Sequence, residues 1–193
     1  MYAWRFDGYW KDVGTIQSYW ESNMDLIRTL PEFNLYEDFW KIYTNSDHQP
    51  PQYTALGSKT EEALLSDGCE IYGTVCRSII GPGVVVEKGA VVKDSIIMKG
   101  SVVGKGTVVE KAIVAENVTI GENAHLGVGE YAPSKYDPKV YQFELVVVGE
   151  RSTIPAGVRI GRNTAISGET TPDDYHGGVL ESGDYIIKAG GVQ

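Results

Sequence analysis

The hydrophobic positions between Ala63 and Leu126 keep a fixed beat. The candidate inward residues are Ala63, Cys69, Val75, Ile80, Val86, Val92, Ile97, Val103, Val109, Val114, Ile120 and Leu126, at spacings of 6, 6, 5, 6, 6, 5, 6, 6, 5, 6 and 6. The pattern closes every 17 residues and gives four successive turns, starting at Ala63, Ile80, Ile97 and Val114. Neither a helical period of 3.6 nor simple strand alternation produces a six-residue beat. A short fixed period marks a solenoid, and a hexapeptide period marks a parallel β-helix. Each coil is then a triangle of three short strands with the aliphatic anchors stacked inside, and successive coils lie about 4.8 Å apart. Three residues after six of the anchors stand Gly83, Gly89, Gly100, Gly106, Asn117 and Asn123, which tolerate the positive φ of a tight corner. One residue later come small or β-branched side chains: Val84, Ala90, Ser101, Thr107, Val118 and Ala124. A β-sandwich with glycine-rich turns does not account for twelve anchors in register.

The beat stops after Leu126. Residues 127–147, with Tyr131, Pro133, Lys135, Tyr136, Pro138, Lys139, Tyr141 and Phe143, read as a loop expelled from one corner, of the kind that carries function or an interface. Hexads return at Val148, Ile154, Ile160 and Ile166, and Leu180, Ile186 and Val192 suggest a capping coil or an edge-covering strand. Upstream, Tyr2 to Phe6 reads as a short half-buried strand. Thr15 can cap a helix with Ile16, Tyr19, Trp20, Met24 and Ile27 on one face, ended by Leu30-Pro31. A second aromatic-rich segment spans 34–43, and Pro50-Pro51 stiffens a linker. The resulting division is a small α/β piece over 1–45, a linker over 46–62 and the β-helix over 63–193.

Composition narrows the partners. Seventeen basic residues against 26 acidic ones give a net charge of −9, which argues against nucleic acid or an anionic membrane surface. No apolar run reaches membrane-span length, and Met1-Tyr2-Ala3-Trp4-Arg5 lacks the pattern of a signal peptide. Cys69 and Cys76 build neither a disulfide framework nor a metal knot, so a cytoplasmic location is expected.

Two residues carry candidate chemistry. Asp12, in Trp10-Lys11-Asp12-Val13-Gly14-Thr15, could hold Mg²⁺ together with a second carboxylate and phosphate oxygens; the same pattern also fits a turn aspartate bonding nearby backbone N–H groups. His125, inside a coil, could serve as the general base of a hexapeptide-repeat acyltransferase with an acyl-coenzyme A between subunits. A purely structural assembly module is the third reading.

The stretches Gly8-Tyr9-Trp10-Lys11-Asp12-Val13-Gly14-Thr15-Ile16 and Tyr19-Trp20-Glu21-Ser22-Asn23-Met24-Asp25-Leu26 resemble bacterial glucose-1-phosphate adenylyltransferase (ADP-glucose pyrophosphorylase), as do Pro50-Pro51, the coils, Gly127-Val128-Gly129-Glu130 and Thr153-Ile154-Pro155-Ala156-Gly157. The resemblance implies a nucleotidyltransferase domain followed by a left-handed β-helix. It implies the reaction of ATP with glucose 1-phosphate to give ADP-glucose and pyrophosphate, the committed step to glycogen or starch. It further implies Mg²⁺ in the intact enzyme, a tetramer, and regulation by effectors near the domain junction. Asp12 matches the family's second metal-binding aspartate, whose partner carboxylate would lie upstream of Met1. No G-x-G-x-x-G and no basic glycine-rich loop occurs in the chain. The chain alone is therefore expected to be inactive and to need no cofactor, with the N-terminal catalytic domain or a second subunit as its missing partner. At the places where plant-type members carry activator-binding lysines stand Glu116 and Glu150; Arg151, Arg159 and Arg162 are weak effector candidates, each equally explained as solvated surface charge. The aromatic set Trp4, Tyr9, Trp10, Phe33, Tyr36, Phe39 and Trp40 would pack on the missing domain.

Overall fold

The computed structural model describes residues 2–39, 41, 43 and 48–188. Three parallel sheets form a β-solenoid. The first contains Tyr53–Thr54, Glu70–Ile71, Val85–Val86, Val102–Val103, Thr119–Ile120 and Thr153–Ile154. The second contains Lys59–Glu61, Thr74–Cys76, Val91–Lys93, Val108–Glu110, His125–Val128, Arg159–Gly161 and Val179–Leu180. The third contains Leu64–Leu65, Ile79–Ile80, Ile96–Ile97, Ala112–Val114, Val146–Val148, Ala165–Ser167 and Tyr185–Ile187. Each strand pairs with the strand one coil away, as in Val85↔Val102, Val91↔Val108 and Ile96↔Ile113. The 17-residue repeat is thus a hydrogen-bond register. Each coil satisfies its backbone on its neighbours, and the aliphatic columns close without any covering helix.

The columns correct the start of the sequence pattern. Leu65 pairs with Ile80 and Ile71 with Val86, so Leu65 and Ile71 are the anchors of their coil, not Ala63 and Cys69. Cys69 is fully buried in the row of smaller residues that includes Val84, Ser101, Val118 and Ser152. The cause is a shortened corner at Tyr72-Gly73. It separates Ile71 from Val75 by four residues where later coils use six, so a count backwards from Val75 slips by two. Glycine is required there, because a Cβ on Gly73 would lie 2.3 Å from the Ala90 carbonyl oxygen. From Val75 to Leu126 the anchors stand as read, all fully or almost fully buried.

The corners behave as their residue types demand. Gly83, Gly89, Gly100, Gly106, Asn117 and Asn123 all have positive φ. The buried hydroxyls behind them bridge coils: Ser101 Oγ donates to the Ala115 carbonyl (2.8 Å) and accepts from the Val118 amide (3.0 Å), and Thr107 does the same between Gly121 and Ala124. The corner after the second sheet escaped the sequence pattern. It is turned by Glu62, Arg77, Asp94, Lys111 and Asn163, all at positive φ. A left-handed non-glycine residue is strained by about 1–2 kcal/mol, and here charge pairing along the solenoid axis offsets part of that, with Arg77 bidentate on Asp94 at 2.7 and 2.8 Å.

Other expectations change. The described residues contain no strand before Tyr53, so Tyr2–Phe6 is not one. A two-faced alternation makes a strand only beside a partner strand, and none is offered there. Strands at Tyr53–Thr54 and Lys59–Glu61 fall inside the stretch read as a linker, so the solenoid begins about ten residues earlier than residue 63. Leu180 and Ile186 extend the second and third sheets, and Val192 lies outside the described residues. Between Ser167 and Val179 a second excursion of two 3-10 turns inserts Tyr175, whose hydroxyl bonds Thr170 Oγ1 at 2.8 Å.

The α-helix, Ile16–Asp25, starts at Thr15, which accepts from the Ser18 amide in a capping box. Its Ile16, Tyr19, Trp20 and Met24 pack on the outer face of the third sheet, against Ile79, Ile96, Met98 and Ile113. Trp20 Nε1 donates to the Asp94 carbonyl at 2.8 Å, which pins the helix to a coil corner.

Two stability measurements probe this core. Ile97, fully buried in mid-column, should cost about 2–5 kcal/mol on truncation to alanine by denaturant unfolding. Burial raises the Tyr175 phenol from 10.0 to about 12. Its contribution to stability is therefore complete below pH 10 and is lost as pH climbs through that window, at about 1.4 kcal/mol per pH unit. Tyr175→Phe should flatten that part of the stability curve; an unchanged slope would place the alkaline sensitivity elsewhere.

Candidate functional site

Asp12 lies on the exposed turn that leads into the helix, two residues before Gly14. The segment before it is tied to the far end of the helix. Lys11 Nζ lies 3.0 Å from Asp25 Oδ2 and 3.4 Å from Glu21 Oε2, Tyr9 donates its hydroxyl to Asp25 at 3.2 Å, and Arg28 reaches Asp25 at 2.8 Å. Partial burial opposes ionisation of Asp25. The bonds and charges of Lys11, Arg28 and Tyr9 outweigh it and hold the carboxyl below the usual carboxylate range. The geometry thus ties Tyr9 and Lys11 to the helix and leaves Asp12 exposed, its carboxylate lying over Gly14.

This arrangement does not make a metal site by itself. Among the described residues no three His, Cys, Asp or Glu side chains come close enough to share an ion. Asp12 offers one carboxylate, and Asp25 and Glu21 are engaged by Lys11. A Mg²⁺ ion, which wants several oxygen donors in an octahedron, is not held by these residues alone.

The other candidates do not converge. Arg151 turns a corner at positive φ and is paired with Glu150 (2.8 Å) and Glu169 (2.6 Å). Arg159 projects from the second sheet beside His125, its register partner. Arg162 sits at a different corner and reaches Glu144 at 2.6 Å. His125 itself stands in its strand between its register partners Val108 and Arg159, just before a register shift at Leu126–Val128.

The expelled loop, by contrast, is tightly held. The strand at His125–Val128 continues through the expected break and the third sheet resumes at Val146, so residues 129–145 leave the coil. Asn163 Nδ2 donates to the Ala132 carbonyl at 2.7 Å, the Lys135 amide donates to the Gly183 carbonyl at 2.7 Å, and Lys135 pairs with Asp184. Tyr136 packs between Tyr141 and Tyr185, and Phe143 meets Trp20 edge-on at 5.7 Å. The loop therefore joins the last coil to the helix that follows the Asp12 turn. No sequence signal pointed to this bridge.

Residues 2–39 expose several aromatic side chains. Tyr2, Trp4, Phe6, Trp10, Tyr36 and Phe39 are exposed, Trp4 at 91% and Phe39 at 84%, while Tyr9 and Phe33 contact each other at 5.9 Å. Trp40 lies outside the described residues. Among the described residues no helix is long and apolar enough to cross a membrane.

The fold and this site define a hexapeptide-repeat β-solenoid with a capped helix docked on one face, carrying an exposed aspartate. Residues 52–143 match the family model for the GlmU-like C-terminal hexapeptide domain. Along nearly its whole length the chain is homologous to part of the glucose-1-phosphate adenylyltransferases. It is 65% identical over 190 residues to the enzyme of that name from Lachnospira eligens, covering 98% of this chain and 45% of the relative. Identity is 56% over 187 residues to that of Thermotoga maritima (97% and 44%), and 43% over 190 residues to that of Acetivibrio thermocellus (98% and 45%). The chain spans less than half the length of the curated relatives it matches.

Asp25→Asn should loosen the Gly8–Thr15 segment. Losing a charged partner worth about 1.5–3 kcal/mol predicts at least tenfold faster limited proteolysis there, with the solenoid left intact.

Proposed function

We propose that this chain is the solenoid part of a glucose-1-phosphate adenylyltransferase, acting with an N-terminal nucleotide-binding domain or a second subunit to make ADP-glucose and pyrophosphate from ATP and glucose 1-phosphate for glycogen biosynthesis. The observation that carries this reading is the 65% identity along 98% of the chain, matched to 45% of the relative. The exposed aromatic side chains of the N-terminal segment support it, since apolar groups left open in this way fit an interface. In the assembled enzyme Asp12 would bring one carboxylate to Mg²⁺, with the remaining donors supplied by the other part. In-line nucleotidyl transfer depends on positioning the two substrates and neutralising phosphate charge. This chain holds one carboxylate on an open turn and no phosphate-cradling loop, so alone it is inactive. Its own contribution is to hold that carboxylate on the turn before a helix locked to the coils, to build a cytoplasmic homo-oligomer (a tetramer by resemblance), and to carry regulation, with Arg151, Arg159 and Arg162 as weak effector candidates.

The test is pyrophosphate release from ATP, glucose 1-phosphate and Mg²⁺, with this chain alone and mixed with a separately made catalytic domain. Activity is expected only in the mixture, falling about a hundredfold or more with Asp12→Ala. A mixture of two folded parts that stays silent, or a chain that is strictly monomeric by light scattering, would overturn the reading.

A further inference from the structure

We propose that the cavity walled by Phe6, Tyr9, Phe33 and Phe39 is a cage for a small organic cation, a quaternary or alkylated ammonium group, with Glu32 and Glu37 as its counter-charges. The cavity measures about 530 Å³, within the range of small-molecule sites. It lies between the two segments that flank the helix: Phe6 and Tyr9 precede it, and Glu32 to Phe39 follow it. Phe6 and Phe39 are mostly exposed, which leaves the cavity open to a solute. Four aromatic side chains, two carboxylates and Asn34 line it, and among the described residues no basic side chain does. The ring faces carry the negative part of the aromatic quadrupole, so walls of this kind attract a positive charge and repel an anion. The two carboxylates act in the same direction, in a chain whose net charge is already −9.

The local geometry selects among cations. Tyr9 and Phe33 lie with ring centroids 5.9 Å apart and planes inclined by 34°. Inclined rings present a rounded wall to a bulky alkylated ammonium, whereas a flat guanidinium favours stacking on one ring or a fork on one carboxylate. Gly8 makes room for the Phe6 ring, since a Cβ there would lie 2.5 Å from Phe6 Cζ. Asn34 folds the other segment, its Oδ1 accepting from the Tyr36 amide at 2.9 Å. Tyr9 anchors the cage to the helix through its hydroxyl bond to Asp25 at 3.2 Å. Partial burial and Asp25 push the Tyr9 phenol up, and the Glu32 charge adds to both. A bound cation would therefore clamp the segment after the helix to the segment before it. Tyr2, Trp4, Trp10 and Tyr36 do not line the cavity, so an interface on those side chains and an occupied cage are compatible. This inference does not depend on the proposed activity.

The experiment is calorimetric titration of the intact chain with choline and with neohexanol, its uncharged carbon isostere, at ionic strength fixed with sodium chloride. Choline should bind about fivefold or more tighter than neohexanol. Phe33→Leu keeps an apolar wall and removes a ring face, and should weaken choline binding about threefold or more. Glu32→Gln combined with Glu37→Gln should weaken it about tenfold and leave neohexanol unaffected. Residues 30–39 should resist limited proteolysis at saturating choline. N-acetylarginine amide stands in for a basic protein side chain, and tighter binding of it than of choline would assign the cage to a protein partner and overturn the proposal. Equal affinity for choline and neohexanol overturns it too, as does full affinity in a folded Phe33→Leu chain. Should Phe33→Leu fail to fold, the double glutamine variant decides, since both carboxylates are exposed, and undiminished choline binding there overturns the proposal.

Discussion

Everything in this molecule depends on coil stacking upon coil in register. A solenoid strand of two or three residues has no stability of its own, because it buries one side chain inward and leaves its amides unpaired at both edges. Stacking solves both problems together: the amides of Val91 and Val108 find carbonyls one coil further on, and Val92 lies against Val109 in the same column. The register tolerates little variation, since a shift of one residue would turn every anchor outward. Extra residues can therefore leave only at corners, and they do so as the loop after Val128 and the excursion after Ser167.

That constraint also explains the distribution of charge. Successive residues at equivalent corners are neighbours across one strand spacing, so like charges there would repel along the whole solenoid axis. Along the corner after the second sheet the sign alternates from Glu62 to Arg77 to Asp94 to Lys111, and Glu144 enters from the loop to continue the sequence. The exposed pairs contribute modestly one at a time. Their main effect is on register, since a slipped coil would set cation against cation.

Periodic structure was legible in the sequence and aperiodic structure was not, for a physical reason. The inward anchors from Val75 onward, the glycine and asparagine corners and the Thr15 cap are each dictated by local residue type, so reading them needs only the chain. The anchors before Val75 were misplaced because a single short corner at Gly73 resets the count, and one irregular step is invisible to a periodicity. The left-handed charged corners were missed because Arg77 and Lys111 are poor left-handed residues intrinsically; only the neighbouring coil makes the conformation affordable. Of the candidate site, Asp12 is a candidate through its motif alone. The Lys11–Asp25 tether and the Phe143–Trp20 contact join residues that share no pattern.

Those aperiodic contacts give the fold its directionality. A bare solenoid transmits little laterally, since each coil touches only its neighbours. Here the helix lies across coils of the third sheet, fixed at Asp94 through Trp20, and the loop from residue 129 reaches from the last coil back to that same tryptophan. The contacts therefore form one continuous chain, from the loop through Phe143 and Trp20 to the helix, and from the helix through Asp25 and Lys11 to the turn bearing Asp12. The rigid columns are the frame on which that chain of contacts is mounted, because a close-packed core of Ile and Val yields little.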